Sequence, residues 1–393
     1  MNILTFNYEY PPLGGGGGVA HALIAEALAV RHGVCVITSA FGDLPRHEVI
    51  RGVEVFRTPV LGRRDHTAAS LTSVLSYPLS SWIQAALVLR HRTFDVIHGY
   101  FAVPSGAGSV VLARSVGLPH VVTLLGGDVY DPSKRLSPHR VAPIRWAVDA
   151  VLKHSHAVVA DSRNVRENTY RYYRYRGPIE VIPLGFRQPH VPPARRAELG
   201  LPRDVFLAVT VGRLVRRKGV EQLLQALRKP ECSMLHLVVV GSGPEMQRLS
   251  NEAAQTGVAT RVTFAGQVSE ERKWQILEAA DVYVSATMHE GFGLAYLEAM
   301  AAGLPVITYD EGGHLDFLQH GETGTLVAAG DVAALANALA RAAECSEAQA
   351  RIGQANRRRA AEHRIEQCAK TYEALFERVI AASAIRSPTD DQH

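Results

Sequence analysis

Cysteine is scarce. Cys35, Cys232, Cys345 and Cys368 are the only four in 393 residues, and they stand far apart. With no CxxC pair and no Cys/His cluster, a disulfide frame and a zinc site of the usual spacing are excluded, and reduced thiols in a cytosolic protein are expected. Neither sign of charge dominates: the formal net charge is +4, too mild for a dedicated nucleic-acid binder, although local basic patches remain. Long apolar runs are missing as well, and none reaches the ~18 residues that span a bilayer. Met1-Asn-Ile-Leu-Thr-Phe enters a strand directly, without the basic segment and apolar stretch of a secretory leader. The expected location is the cytoplasm, free or resting on the inner face of a membrane.

What the chain does have is the balance of a globular protein, 47% hydrophobic and 20% charged, with length for two domains that each bury a core. Strand and helix patterns alternate, which predicts parallel sheets built from βαβ units. In the first half, strands are expected at 2–6, 34–38, 95–98, 120–124, 157–160 and 179–182. Helices are expected at 19–31, 79–91, 104–115, 139–154 and 162–173. The second half repeats the rhythm, with strands near 205–211, 235–240, 261–264, 282–286, 304–308 and 325–327. Between the halves, Gln188-Pro-His-Val-Pro-Pro-Ala-Arg-Arg reads as a linker, because proline restricts its own backbone and that of its predecessor. The fold class is therefore α/β: two Rossmann-like doubly wound domains, 1–187 and 188–364, facing each other across a cleft. After 331 the pattern is almost wholly helical.

The most informative stretch runs from His289 to Gly303, His-Glu-Gly-Phe-Gly-Leu-Ala-Tyr-Leu-Glu-Ala-Met-Ala-Ala-Gly. Glu290 and Glu298 flank a Gly-Phe-Gly turn between an apolar strand and a helix that begins near Leu294. A helix start past the carboxyl end of a parallel strand is where open α/β sheets bind ligands, and its free N–H groups favour an anion. Gly291 and Gly293 let backbone approach that anion without a Cβ. The pattern suits a phosphorylated sugar compound; the plainer reading is a strand–turn–helix with solvated glutamates. Glu290, seven residues, Glu298 and then Ala-Met-Ala-Ala-Gly-Leu-Pro-Val-Ile resembles the donor-site motif of the retaining GT-B nucleotide-sugar glycosyltransferases of family 4. Val211-Gly-Arg-Leu-Val-Arg-Arg-Lys-Gly, Gly312-Gly and Gly321-Glu-Thr-Gly-Thr-Leu-Val resemble further motifs of that family, in order and at its spacing.

The resemblance implies a GT-B fold and a donor site made of Gly16, Gly17, Arg213, Lys218, Val268, Lys273, Glu290, Gly291, Phe292, Gly293, Leu294 and Glu298. Arg213 and Lys218 are assigned to the pyrophosphate, where fixed cations stabilise charge that grows as the glycosidic bond breaks. Arg216 and Arg217 between them read as solvated. Val268 would meet the base through its backbone, with Lys273 beside it. The loop Gly14 to Gly18 matches neither the dinucleotide fingerprint nor a Walker loop; in the family it closes over donor and acceptor. His98, Tyr100 and Asp128 are the acceptor-side candidates, and Leu125 stands where many members carry a histidine. Glu290, Asp128, Lys218 and Arg213 are the catalytic candidates. The resemblance also implies that a last helix, 365–382, crosses back to the N-terminal domain, so that 365–393 forms a third segment.

The expected activity is transfer of a sugar from a nucleotide-diphosphate-sugar to a hydroxyl acceptor, with retention. No Asp-x-Asp motif occurs, so neither a metal nor a cofactor is expected, the nucleotide-sugar serving as co-substrate. The alternatives are a nucleotide-sugar epimerase, a sugar phosphorylase, or a non-catalytic partner that only binds the donor. Nucleic acid is not an expected partner. Arg135 to Arg145, with Trp146, and Tyr170 to Arg176 mix basic and aromatic residues. Such a surface in the N-terminal domain suits a peripheral membrane contact, or arginine stems packed on rings.

Overall fold

The computed structural model describes residues 1–63, 70–134 and 136–386. It divides into two compact units, Met1–Gly185 with Ile365–His393, and Phe186–Arg364. The division falls at Gly185/Phe186, just before the proline-rich stretch. In unit 1 the elements are β1 (Asn2–Phe6), α1 (Gly16–Ala29), β2 (Gly33–Ser39), β3 (His47–Ile50), β4 (Val53–Thr58), α2 (Leu71–Leu89), β5 (Val96–Tyr100), α3 (Ala107–Val116), β6 (His120–Leu124), α4 (Ala142–His154), β7 (Ala157–Ala160), α5 (Arg163–Tyr172) and β8 (Ile179–Val181). Unit 2 holds β9 (Phe206–Val211), α6 (Val220–Leu227), β10 (Leu235–Val240), α7 (Met246–Gln255), β11 (Val262–Gly266), α8 (Glu270–Ala279), β12 (Val282–Val284), α9 (Leu294–Ala302), β13 (Val306–Tyr309), β14 (Gly324–Val327), α10 (Val332–Glu344) and α11 (Ser346–Ala361). The final helix, α12 (Ile365–Arg386), belongs to unit 1.

The sheet of unit 1 runs β3-β4-β2-β1-β5-β6-β7-β8, parallel except for the β3–β4 pair. Two corrections to the expected elements arise here. Strands β3 and β4 lack the continuous apolar run that marks a buried parallel strand. Instead they alternate in and out, with His47, Glu48, Glu54 and Arg57 interleaved, the pattern of a hairpin at a sheet edge. Helix α2 starts eight residues before the expected 79–91, because Pro78 does not break it. Ser70 and Ser73 form a reciprocal capping box at its start.

The sheet of unit 2 runs β11-β10-β9-β12-β13-β14. Its core packs Leu223 and Leu227 of α6 and Leu335 and Leu339 of α10 with Leu237, Val239 and Ile307 of the strands, all at most 2% exposed. Each such side chain stabilises by about 1.5–3 kcal/mol on burial. In both sheets the strand order reverses once beside the first strand of the unit, between β1 and β5 and between β9 and β12. Open parallel sheets bind ligands outside the carboxyl ends of the strands at such points.

Candidate active site

At the β9/β12 reversal, the chain leaving β9 runs through Gly212 and Arg213 into a short 3-10 turn, Arg216–Lys218. Gly219 ends that turn at φ +64, where a Cβ would lie 2.0 Å from the Ala286 carbonyl oxygen. Only glycine lets the turn press against the loop that follows β12. That loop is stitched to the turn by its backbone: Met288 N–H donates to the Arg217 carbonyl, and the Arg217 guanidinium donates to the His289 carbonyl, each at 2.9 Å. The stitching brings the Lys218 ammonium onto the Glu290 carboxylate as a largely buried ion pair. Arg217, read from sequence as solvated, is thus half-buried and ties the two loops together. Arg216 is exposed, as expected, facing Glu245 at 3.6 Å.

Burial alone would raise the Glu290 carboxyl, but Lys218 and then Arg217 hold it at about 2. Glu290 is therefore ionised at any working pH. Burial, with Arg217 and Arg213 close by, lowers the Lys218 ammonium despite the carboxylate beside it. Lys218, Arg217 and Arg213 thus gather about one buried carboxylate, a setting that favours an anion.

From Glu290 the chain turns through Gly291–Gly293 into α9. Gly293 takes φ +97, and a Cβ there would lie 2.5 Å from the Tyr296 ring. The opening amides of α9 follow, the positive end of its dipole. Phe292 was expected among the donor contacts. Its ring is instead 2% exposed, packed on Phe317 at 5.1 Å, so the side chain pins the loop and leaves only its backbone to a ligand. A third loop, after β13, closes on the same place: Gly313 N–H donates to the Glu290 carbonyl at 2.8 Å. The next residue, His314, escaped the sequence reading, where only the preceding Gly-Gly gave a signal. It stacks on Tyr296 at 4.7 Å and binds the Tyr309 carbonyl through Nε2 at 2.9 Å. That bond makes Nε2 the donor and leaves the buried Nδ1 an acceptor with no partner.

One turn into α9, Glu298 meets Lys273 of α8 at 2.8 Å, and Lys273 also reaches Glu270. Burial alone would lower the Lys273 ammonium, but Glu298 and Glu270 together raise it. Burial raises Glu298, which Lys273 only partly offsets. Both side chains are largely withdrawn from solvent, and Lys273 is not an ordinary exposed helix residue. Val268, half-buried, lies in the turn that Ser269 caps at the start of α8. The buried Tyr283 hydroxyl is raised by its burial and then by Tyr296, Glu290 and Glu298, so both carboxylates lie within electrostatic reach of one side chain.

In unit 1 the glycine loop and the chain after β5 meet at the β1/β5 reversal. A Cβ on Gly17 would lie 2.4 Å from Phe101 and 3.1 Å from Leu125, whereas Gly16 faces open space. Phe101 holds φ +67, a conformation that costs a bulky residue of order 1–3 kcal/mol. Asp128 is 4% exposed and accepts the Ala102 N–H at 2.6 Å and the Leu125 N–H at 3.1 Å. It braces both loops, and burial pushes its carboxyl up to about 6 against those hydrogen bonds.

His98 and Tyr100 are corrected. Each is 1% exposed. His98 binds Thr123 Oγ1 at 2.8 Å and lies 5.2 Å from Phe376 of α12, ring to ring, while Tyr100 stacks on His21 of α1 at 3.9 Å. Their side chains join the sheet to its helices and offer no face to an acceptor, because β5 is buried along its whole length. The basic–aromatic stretches are also internally knit. Tyr130 stacks on Tyr172 at 4.9 Å, and the Arg176 guanidinium donates to the Tyr170, Tyr173 and Tyr175 carbonyls. Arg135 lies outside the described residues.

Comparison with known proteins agrees in both halves. Residues 193–359 match the family model for glycosyl transferases group 1, and residues 15–185 match that for a glycosyl transferase 4-like domain. An uncharacterized glycosyltransferase of Methanocaldococcus jannaschii is 30% identical over 83% of this chain and 85% of its own length. A D-inositol 3-phosphate glycosyltransferase of Acidothermus cellulolyticus is 31% identical over 86% of this chain and 80% of its own. Among solved structures, sucrose-phosphate synthase of Thermosynechococcus elongatus superposes with a TM-score of 0.84 at 24% identity, covering 97% of this chain and all of that one. HepE of Anabaena, in complex with UDP-glucose, gives 0.76 at 19% identity over 96% of this chain and all of that one.

Proposed function

The chain belongs to the glycosyl transferases group 1 family, with the GT-B fold, and on that premise we propose that it moves a sugar from a nucleotide-diphosphate-sugar to a hydroxyl acceptor with retention of anomeric configuration. That it is a glycosyltransferase follows from the family. The observation that carries the finer reading is the ionised Glu290 on Lys218, with Arg213 and Arg217 beside them, at the start of α9. A diphosphate would take the Arg213 and Lys218 charges and the Gly291–Leu294 amides. Glu290 and the His314 Nδ1 would accept sugar hydroxyls, Glu298 with Lys273 would hold the ribose, and Val268 the base. The neighbour that holds UDP-glucose supports this donor class.

In the step itself the bond from anomeric carbon to phosphate oxygen breaks and the acceptor oxygen bonds to that carbon on the same face. The acceptor proton passes to the departing phosphate. Preorganised cations stabilise the charge that grows on the leaving group, so transfer needs no divalent ion and should survive a chelator. Within unit 1, Asp128 acts by positioning the Leu125 and Ala102 backbone for the acceptor. The proposed setting is cytoplasmic.

Incubation with a panel of labelled nucleotide-sugars and NMR of the product anomer tests the reading. Glu290→Gln should still bind nucleotide yet lose on the order of 10²–10³ in rate; full activity in that variant sinks the assignment. A second reading, a partner that binds donor without transferring it, draws on Leu125 in the place of the usual histidine. It predicts nucleotide binding with neither transfer nor slow donor hydrolysis. An epimerase would alter the donor with no acceptor present, and a phosphorylase would require phosphate.

A further inference from the structure

Helix α2 carries no charged side chain across its 19 residues. One side packs inward through Ser73, Tyr77, Ser81, Ala85 and Val88. The other turns Leu71, Leu75, Leu79, Trp82, Ile83 and Leu87 to solvent, at 36–69% exposure. A helix surface of this kind is ordinarily buried, and this one is not. Scattered exposed leucines need no explanation, but six large apolar side chains along one side of one helix, with no charge among the residues between them, form the kind of contiguous patch that marks an interaction site.

Charge gathers beside it. Helices α2, α3 and α4 pack in sequence over one sheet face, and because β5, β6 and β7 are parallel neighbours, the helices end along one edge. Arg90, His91 and Arg92 follow α2 there, Arg114 sits in the last turn of α3, and Lys153 and His154 lie in the last turn of α4. Arg114, Lys153, His154, His156 and Arg378 line one cavity of about 460 Å³. Arg114 and Lys153 carry the charge of this cavity, since His154 is lowered by burial and by Arg114 beside it, and Arg378 pairs with Glu180 at 2.7 Å. Arg92 is likewise paired, with Glu54. Helix α4 adds Trp146, 61% exposed. Unit 1 holds 22 Lys and Arg against 18 Asp and Glu, and unit 2 holds 20 of each, so the whole net charge of +4 resides in unit 1.

We propose that the α2–α3–α4 face docks on an anionic lipid bilayer, with the solvent side of α2 and Trp146 entering the boundary between headgroups and acyl chains and the cations at the helix ends meeting lipid phosphates. Exposed tryptophan suits that boundary. A second copy of the chain fits less well, since an α2–α2 contact leaves the cationic edge unmatched. Of the basic–aromatic stretches expected from sequence, only Trp146 belongs to this surface; Tyr130, His139 and Tyr172 pack ring against ring, and Arg176 is bonded to backbone carbonyls. It does not rest on the transfer reaction, so its failure leaves that reading standing.

Co-sedimentation of the whole chain with phosphatidylglycerol–phosphatidylcholine vesicles, against pure phosphatidylcholine, tests it. Binding should favour the anionic vesicles and weaken with salt. The pair Leu75→Glu/Leu79→Glu should bind about tenfold more weakly or worse, with its melting temperature and nucleotide binding unchanged. Leu79→Ser gives the same direction should the charged pair fail to fold. Arg114→Glu/Lys153→Glu should lose the preference for anionic lipid. No binding by the parent, equal binding to neutral vesicles, or undiminished binding by the α2 variants overturns the proposal. So does a dimer, seen by analytical ultracentrifugation, that the α2 variants dissolve.

Discussion

Lys218 and Glu290 form the kind of buried ion pair that removing either partner destabilises, by about 3–5 kcal/mol, because the charge left behind has nothing to answer it. Replacing both by apolar residues of similar volume is often neutral for stability. We therefore expect Lys218→Met/Glu290→Leu to melt close to the parent while each single variant melts lower, and all three to lack transfer. A double variant that keeps activity would detach the pair from the reaction. The lowered Lys218 ammonium gives a second test. It is charged below its depressed pKa and neutral above it, so diphosphate affinity should fall at lower pH than for an ordinary ammonium. A bound diphosphate should restore the proton, and calorimetry in buffers of differing ionisation enthalpy reads its uptake in the alkaline range. Asp128 runs the other way. Its carboxyl rises from 3.8 to about 6 on folding, so between those values the folded chain holds the extra proton and stability falls as pH rises. Asp128→Asn should flatten that slope in urea unfolding while weakening the hold on the Leu125 and Ala102 amides.

At the scale of elements, the turn into α9 depends on Gly293. Its φ of +97 and the 2.5 Å approach of a would-be Cβ to the Tyr296 ring predict that Gly293→Ala costs roughly 1–3 kcal/mol. It should also weaken nucleotide binding more than a neutral surface change of equal stability, because the same turn aims the helix amides. Parental nucleotide affinity in a folded Gly293→Ala would remove α9 from the donor site. This turn was legible in the sequence because glycine, carboxylate and apolar strand fall in one short stretch, and local chemistry dictates local geometry. The six strands of unit 2 were legible for the same reason, being apolar runs between helices. The β3–β4 hairpin was not, since alternating burial among charged residues leaves no run to see. Nor were the roles of Arg217, His314 and Phe292, or the interior placing of His98 and Tyr100. Those depend on which distant loops and helices arrive beside them, and no spacing along the chain records that. His98 at a strand's carboxyl end reads as a site residue until α12, more than 260 positions later, is seen to cover it.

For the molecule as a whole, the last helix is the informative piece. Helix α12 follows all of unit 2 in sequence yet belongs to unit 1, where Tyr372 and Phe376 are fully buried and the Tyr372 hydroxyl meets Thr123 at 3.0 Å. Unit 1 is thus incomplete until α12 is made, and its stability responds to changes far from its own first 185 positions. Tyr372→Ala and Phe376→Ala should each cost about 3–5 kcal/mol by opening a cavity over β5 and β6. Hydrogen exchange should show that loss in peptides of unit 1. Ligand linkage supplies the complement. A nucleoside diphosphate that binds only the folded chain adds RT ln(1 + [L]/Kd), about 2.7 kcal/mol at a hundredfold excess over Kd. If the donor site is the one described, exchange should slow in the segments 212–218, 288–298 and 312–314, and slow as much in Tyr372→Ala as in the parent. Protection confined to unit 1, or lost with Tyr372, would mean that the cations around Lys218 are not where the diphosphate goes.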